Sequence, residues 1–438
     1  MNSFKPANPL SFHRKALVCL TILAVNLNMP GMSWAALSQK PLLVGTTTVP
    51  KPNIMLTIDT SGSMNFRHMP EKTTTVNGVP MNVTDSATYV EHPDDNYEAG
   101  TIYMGIMPAR KNQTDDALLL TQIKFRSPDI NTIYYNPKQR YKPWAATTTT
   151  RKPKASISKA FINPLKQDAN DTAIDLTVNL TERVRRETVT YFWPGLYYLL
   201  KPGANPKVTS NYDVYDVNDA ALTFKKYPAR DDCLGTTTCT QAEEQQNFAN
   251  WFVYYRTRML LAKAALSEAF HNINDVARVG WTNIKYASQI PNRVSATNPL
   301  GPVPQDQRVR PLNATNRQAL LTAIQTKLSA DGSTPLRVAL DQVGKYFQDT
   351  SNYSPWSDDP VNGSSSKSTC RRSYNILTTD GYYNDSVTVN EFKDYASVID
   401  PVQDLDGQDA HPNYRPGPPF RERHRTGPEN TRRAETPP

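Results

Sequence analysis

The stretch 53-NIMLTIDTSGSMNF-66 decides how the rest of the chain is read. Ile54, Leu56 and Ile58 alternate with their neighbours over the length of one β-strand. The run ends at Asp59, and Ser61 and Ser63 follow with a glycine between them. A strand that opens into one carboxylate and two hydroxyls builds one of three things: a hard-cation site, a catalytic carboxylate or a polar turn.

The downstream sequence supplies companion elements. Thr240 and Glu243 have capping-box spacing, and Phe248, Phe252, Tyr255, Met259, Ala262, Leu266 and Phe270 recur at three- and four-residue steps. That pattern predicts one amphipathic helix of about eight turns. VARVGWTNI (276–284) predicts a strand, and Leu320, Ile324 and Leu328 mark a helix. GSTPLRVALDQVGKYF (332–347) predicts another, with Thr334 as N-cap and Pro335 at the first helical position. SYNILTTDGYYND (373–385) reads as a strand ending in Thr379-Asp380-Gly381. Strand, helix, strand, helix, helix, strand is the order of an α/β domain with a parallel sheet and helices on both faces. Ligands of such sheets bind beyond the carboxyl ends of the strands, where Asp59 and Asp380 both fall.

Between 65 and 240 the pattern is irregular. IYYNPKQRYKPW (133–144) and TYFWPGLYYLL (190–200) are aromatic clusters bounded by turn residues, which predicts short β-hairpins whose aromatic rings serve as core, with a sugar- or peptide-binding aromatic surface as the alternative. Cys233 and Cys239 enclose LGTTT, a loop that a disulfide would close in an oxidising compartment; two free thiols are the alternative. Cys370 is left without a partner, because Cys19 falls in the leader.

That leader carries Lys5, Arg14 and Lys15 ahead of the apolar run 16–25, with Ser33 and Ala35 placed for cleavage. It predicts export, and no second apolar run of membrane length follows it. Of the net charge of +8, three units lie in the leader and three more in residues 411–438, where six arginines face three glutamates. The weakly charged remainder argues against nucleic acid as a partner.

Asp59, Ser61, Ser63, Thr334 and Asp380 form an all-oxygen set with neither His nor Cys, which suits Mg²⁺, with Mn²⁺ or Ca²⁺ as alternatives, rather than zinc. Two carboxylates and three neutral hydroxyls leave a divalent cation an open position for an acidic group. In its residue types and order this set resembles the metal-ion-dependent adhesion site of von Willebrand factor type A domains. The resemblance implies a doubly wound parallel sheet, with Ser61 and Ser63 as direct ligands and Thr334 engaging when the site opens. Asp59 and Asp380 would act through bound water, and a partner's carboxylate would complete the octahedron.

Thr334 lies 275 residues after Asp59, several times the usual separation, so a large loop- and β-rich insertion is expected after the first strand. With that insertion, the Cys loop and NFANWFVYYRTRM (247–259), the chain resembles the N-terminal part of the PilY/PilC family of type IV pilus biogenesis factors and tip adhesins. The expected layout is a signal peptide at 1–35, a linker at 36–50, the first strand and metal-site turn at 51–64, the insertion at 65–240, the remaining type A domain at 241–400, and an Arg/Pro-rich tail at 401–438. Family members continue into a β-propeller, so the tail reads as a truncated, frame-shifted or disordered segment. DLDGQDAHP (404–412) lacks the closing glutamate of an EF-hand and reads as a turn.

The resemblance implies a non-enzymatic assembly factor and adhesin. It would sit in the periplasm, on the outer membrane surface or at the pilus tip, where it would bind pilins, minor pilins, secretion machinery or a host or substratum receptor. A scaffold with a purely stabilising metal is the alternative. An aspartic hydrolase fits poorly, because Asp-Thr-Ser and Thr-Asp-Gly are not paired Asp-Thr-Gly motifs.

Overall fold

The computed structural model describes residues 50–70, 73–83, 109–168, 170–171, 173–184, 188–273, 275–285, 303–330 and 334–380. The expected signal peptide, nearly all of the linker, the 404–412 turn and the tail lie outside them. Contacts divide the chain after Pro50, and every described helix and strand belongs to the second unit.

At its centre is a four-stranded sheet. β1 (Asn53–Ile58) pairs in parallel with β2 (Arg278–Asn283) on one side and with β4 (Ser373–Thr378) on the other, and β3 (Arg310–Pro311) adds an antiparallel edge to β2. Ile58 is level with both Asn283 and Thr378, so the three parallel strands end together. Gly280 in β2 is required by a close approach: a Cβ there would stand 2.7 Å from the Gln307 carbonyl oxygen and 2.8 Å from the Val309 amide nitrogen.

Five helices are described: α1 (Asp116–Arg126), α2 (Gln241–Tyr254), α3 (Arg258–Asn272), α4 (Ala314–Lys327) and α5 (Leu336–Gln348). α3 and α4 pack on one face of the sheet and α5 on the other, as the strand period of two requires, while α1 and α2 pack within the region between β1 and α2. Leu56 and Ile58 join Met259 and Phe270 of α3 and Leu320, Leu321 and Ile324 of α4 in one core, while Met55 packs into another with Val343 and Tyr346 of α5.

The single long helix expected over 240–270 is two helices. The Thr240–Glu243 capping box opens α2, but the chain leaves the helix at Tyr255, and the Thr257 side chain accepts from the Leu260 amide at 3.2 Å to open α3. The break follows from packing. Phe248, Trp251, Phe252 and Tyr254 of α2 are buried among Tyr134, Tyr135, Tyr141, Trp144 and Tyr197, whereas α3 serves the sheet. One straight axis would not satisfy both cores.

The region between β1 and α2 contains α1 and five two-stranded antiparallel pairs among its described residues. In one of them Asn77 and Gly78 turn at φ 49° and 78°, the left-handed pair that suits a two-residue hairpin. The hairpin expected over 133–144 is absent. Pro137 and Pro143 supply no amide donors, and Tyr134, Tyr135, Tyr141 and Trp144 all turn into one core instead of alternating. The stretch 190–200 belongs to two different pairs, Leu180–Val184 with Thr188–Phe192 and Leu196–Leu200 with Tyr212–Asp216. Cys233 and Cys239 are joined in a disulfide with Cα atoms 5.0 Å apart, and Cys370 is free and exposed. No helix among the described residues is long and apolar enough to cross a membrane.

Candidate metal centre

Because β1 and β4 end level, the residues leaving them meet. The Asp59 amide donates to the Thr378 carbonyl at 2.9 Å and extends the ladder by one step, and the chain then turns through a 3-10 segment, Gly62–Asn65. Asp59 is fully buried, and neither carboxylate oxygen is idle: Oδ1 accepts from the Ser61 amide at 2.8 Å and Oδ2 from the Thr379 hydroxyl at 2.7 Å. The first bond folds the turn back on its own aspartate, and the second ties β1 to β4.

The hydroxyls continue the chain of contacts. Ser61 Oγ lies 2.9 Å from Ser63 Oγ, and Ser63 Oγ donates to Asp380 Oδ1 at 3.1 Å. Four of the five oxygen-bearing residues singled out in the sequence are thus joined by hydrogen bonds, although Ser63 and Asp380 are 317 residues apart.

Thr334, the fifth residue of the set, lies just ahead of α5. It is not the N-cap of α5; Pro335 occupies that position without a side-chain cap, and the Thr334 carbonyl accepts from the Leu336 amide at 2.9 Å. Pro335 has φ −81° and ψ 60°, outside the helical range, so the first helical residue is Leu336. Leu336 packs against Ile284, just past β2, and Leu377 near the end of β4, while Asn65 Nδ2 donates to the Ala330 carbonyl at 2.9 Å. Thr334 itself is buried, two residues ahead of Leu336. The Cys233–Cys239 disulfide belongs elsewhere, packed with Phe224.

Two participants were not anticipated from the sequence. Thr379 is the first. The second is Arg258, whose guanidinium meets Asp380 Oδ2 at 2.6 Å with both side chains almost fully buried. Its Nε donates to the His68 carbonyl at 2.9 Å, and the group lies 5.0 Å from the centre of the Phe66 ring. His68 is buried beside it, stacked on Phe66, with Nδ1 3.1 Å from the Pro70 carbonyl. A carbonyl only accepts, so the neutral ring carries its proton on Nδ1. Burial, reinforced by Arg258 and Arg67, lowers its pKa from 6.5 to about 4. The available signal for Arg258 was a cation in the first turn of a helix, the end that favours acids.

The set offers oxygen donors alone, the donor type that suits a hard cation. The buried Thr60 hydroxyl, within the same turn, has no hydrogen-bond partner.

No protein-family profile and no solved structure matches the chain. Among curated proteins it is similar to the type IV pilus biogenesis factor PilY1 of Pseudomonas aeruginosa strain PAK, 26% identical over 369 residues that cover 81% of this chain and 26% of the relative. Its counterpart in strain UCBPP-PA14 is 25% identical over 390 residues, 87% of this chain and 26% of the relative. The chain thus spans 26% of the length of either relative.

Proposed function

We propose that this chain, a distant relative of the PilY1 pilus biogenesis factors, is the recognition module of a type IV pilus assembly factor and tip-associated adhesin, built on a von Willebrand factor type A-like domain. The observation that carries the reading is the hydrogen-bonded series Asp59, Ser61, Ser63, Asp380 at the joint carboxyl edge of two parallel strands. Ser61, Ser63 and Thr334 would hold Mg²⁺, with Mn²⁺ or Ca²⁺ as substitutes, and Asp59 and Asp380 would supply negative charge around it. When bound, the cation supplies a Lewis-acidic centre for a partner's carboxylate.

The chain's own residues do the rest. Asp59 holds the turn through the Ser61 amide and the neighbouring strand through Thr379, so the hydroxyls are positioned before any ligand arrives. Thr334 sits ahead of α5, and movement of that helix start would couple ligand capture to the loops around it. The partner is an acidic group on a pilin, a minor pilin, the secretion machinery or a surface receptor, met in the periplasm, on the outer membrane surface or at the pilus tip. Each of the four carboxylate oxygens of Asp59 and Asp380 has its own donor, an arrangement unlike two acids sharing a proton for hydrolysis.

The test is retention of purified minor pilins by the immobilised chain in Mg²⁺, in chelator, and with Thr334→Ala. Retention is expected in Mg²⁺ alone and only with Thr334 intact. Equal retention in chelator overturns the reading, and cation-dependent stability without cation-dependent retention assigns the metal a purely stabilising role.

A further inference from the structure

The cage contains a positive charge of its own, in a place where helix formation gives no reason for one. Arg258 is the first residue of α3, where exposed backbone N–H groups favour acids, yet no acid lies in that turn. It is 4% exposed, and a buried guanidinium is costly unless paired. Its partner is Asp380: Nη1 meets Oδ2 at 2.6 Å, while Oδ1 of the same carboxylate accepts from Ser63. Phe66 and the His68 carbonyl hold the remainder of the group, and Nη2 is buried without a partner. The ion pair therefore sits inside the series of oxygens and uses one of its two carboxylates.

Asp59, Asp380 and Arg258 together carry one net negative charge. A divalent ion would turn that into one net positive charge, whereas without the guanidinium the loaded set would be neutral. We propose that Arg258 is a fixed competing cation: by pairing with Asp380 it weakens divalent-cation binding, and it leaves the loaded site with surplus positive charge that selects anionic partner groups. The inference rests on the reading of this edge as a cation site. It makes Arg258 a specificity-determining residue, trading affinity for the ion against affinity for an acidic ligand.

The experiment is calorimetric titration of Mn²⁺ and Mg²⁺ into the wild-type chain and the Arg258→Gln, Arg258→Met and Ser63→Ala variants, with circular dichroism to establish folding. Methionine keeps an unbranched apolar stem against Phe66 should glutamine fail to fold. Either neutral variant is expected to bind Mn²⁺ at least tenfold more tightly than wild type, and binding seen in a neutral variant alone supports the same conclusion. Equal or weaker binding by a folded neutral variant overturns the role of Arg258 while leaving the site in place. Undiminished binding by Ser63→Ala, or none by any chain, overturns the site itself and the inference with it.

Discussion

Asp59→Asn separates the charge of the proposed site from its shape. The side chain is fully buried and accepts two hydrogen bonds, from the Ser61 amide and the Thr379 hydroxyl. Asparagine has the same outline. Its oxygen can face the Ser61 amide, which only donates, leaving its NH₂ toward Thr379, whose hydroxyl can rotate to accept. Without cation the substitution therefore costs about 1 kcal/mol, one reoriented hydrogen bond. With cation the outcome differs. At a free Mg²⁺ concentration one hundred times Kd, wild type gains about 2.7 kcal/mol. At about 2–3 °C per kcal/mol for a unit of this size, that is a rise in Tm of about 5–8 °C. The variant has lost one of two carboxylates and is expected to rise by less than about 2 °C under the same conditions. Differential scanning fluorimetry across a Mg²⁺ series, with Ca²⁺ and Mn²⁺ in parallel, reads both numbers. An unreduced Mg²⁺ shift in Asp59→Asn would refute the assignment of Asp59 to the cation, whatever its effect on basal stability.

Three other outcomes are set by the packing. His68 has a folded pKa of about 4 against an ordinary 6.5, so its contribution is complete above pH 6.5 and is lost as the pH falls toward 4, up to about 3 kcal/mol. Urea midpoints for wild type and His68→Asn should diverge at neutral pH and converge in acid; parallel curves would remove His68 as the cause. Glu244 is buried and accepts from Tyr135 at 2.7 Å, Tyr197 at 3.2 Å and Arg230 at 2.7 Å, while Arg230 keeps its second partner Asp232, so Glu244→Gln should destabilise by about 1–3 kcal/mol in urea unfolding, and no measurable loss would contradict the network. Gly280→Ala drives a methyl into backbone rather than a movable side chain and should cost about 1–3 kcal/mol by thermal unfolding, with hydrogen exchange quickened along β2; unchanged protection would contradict the close approach.

The sheet was legible because each of its three parallel strands is a short run bounded by turn residues, and hydrophobic period is a local property. The Asp59–Ser63 turn was legible for the same reason, its residues being contiguous. The boundary between α2 and α3 was not. Aromatic and apolar residues keep helical spacing straight through Tyr255, and only their assignment to two cores, one aromatic and one on the sheet, forces the axis to change. The 133–144 segment misled in the opposite sense, because β-forming residues were drawn inward together.

By itself, the sequence determined the inventory of oxygen-bearing side chains in the turn and the order of elements that makes a parallel sheet the economical solution. Tertiary structure decided which distant groups join that inventory. Register brings Thr379 and Asp380 beside Asp59, because β1 and β4 end at the same level. It also brings Arg258 across from α3, a pairing that no spacing within the chain could announce: the charge on a carboxylate is felt through space, and the 122 residues separating Arg258 from Asp380 carry no trace of it.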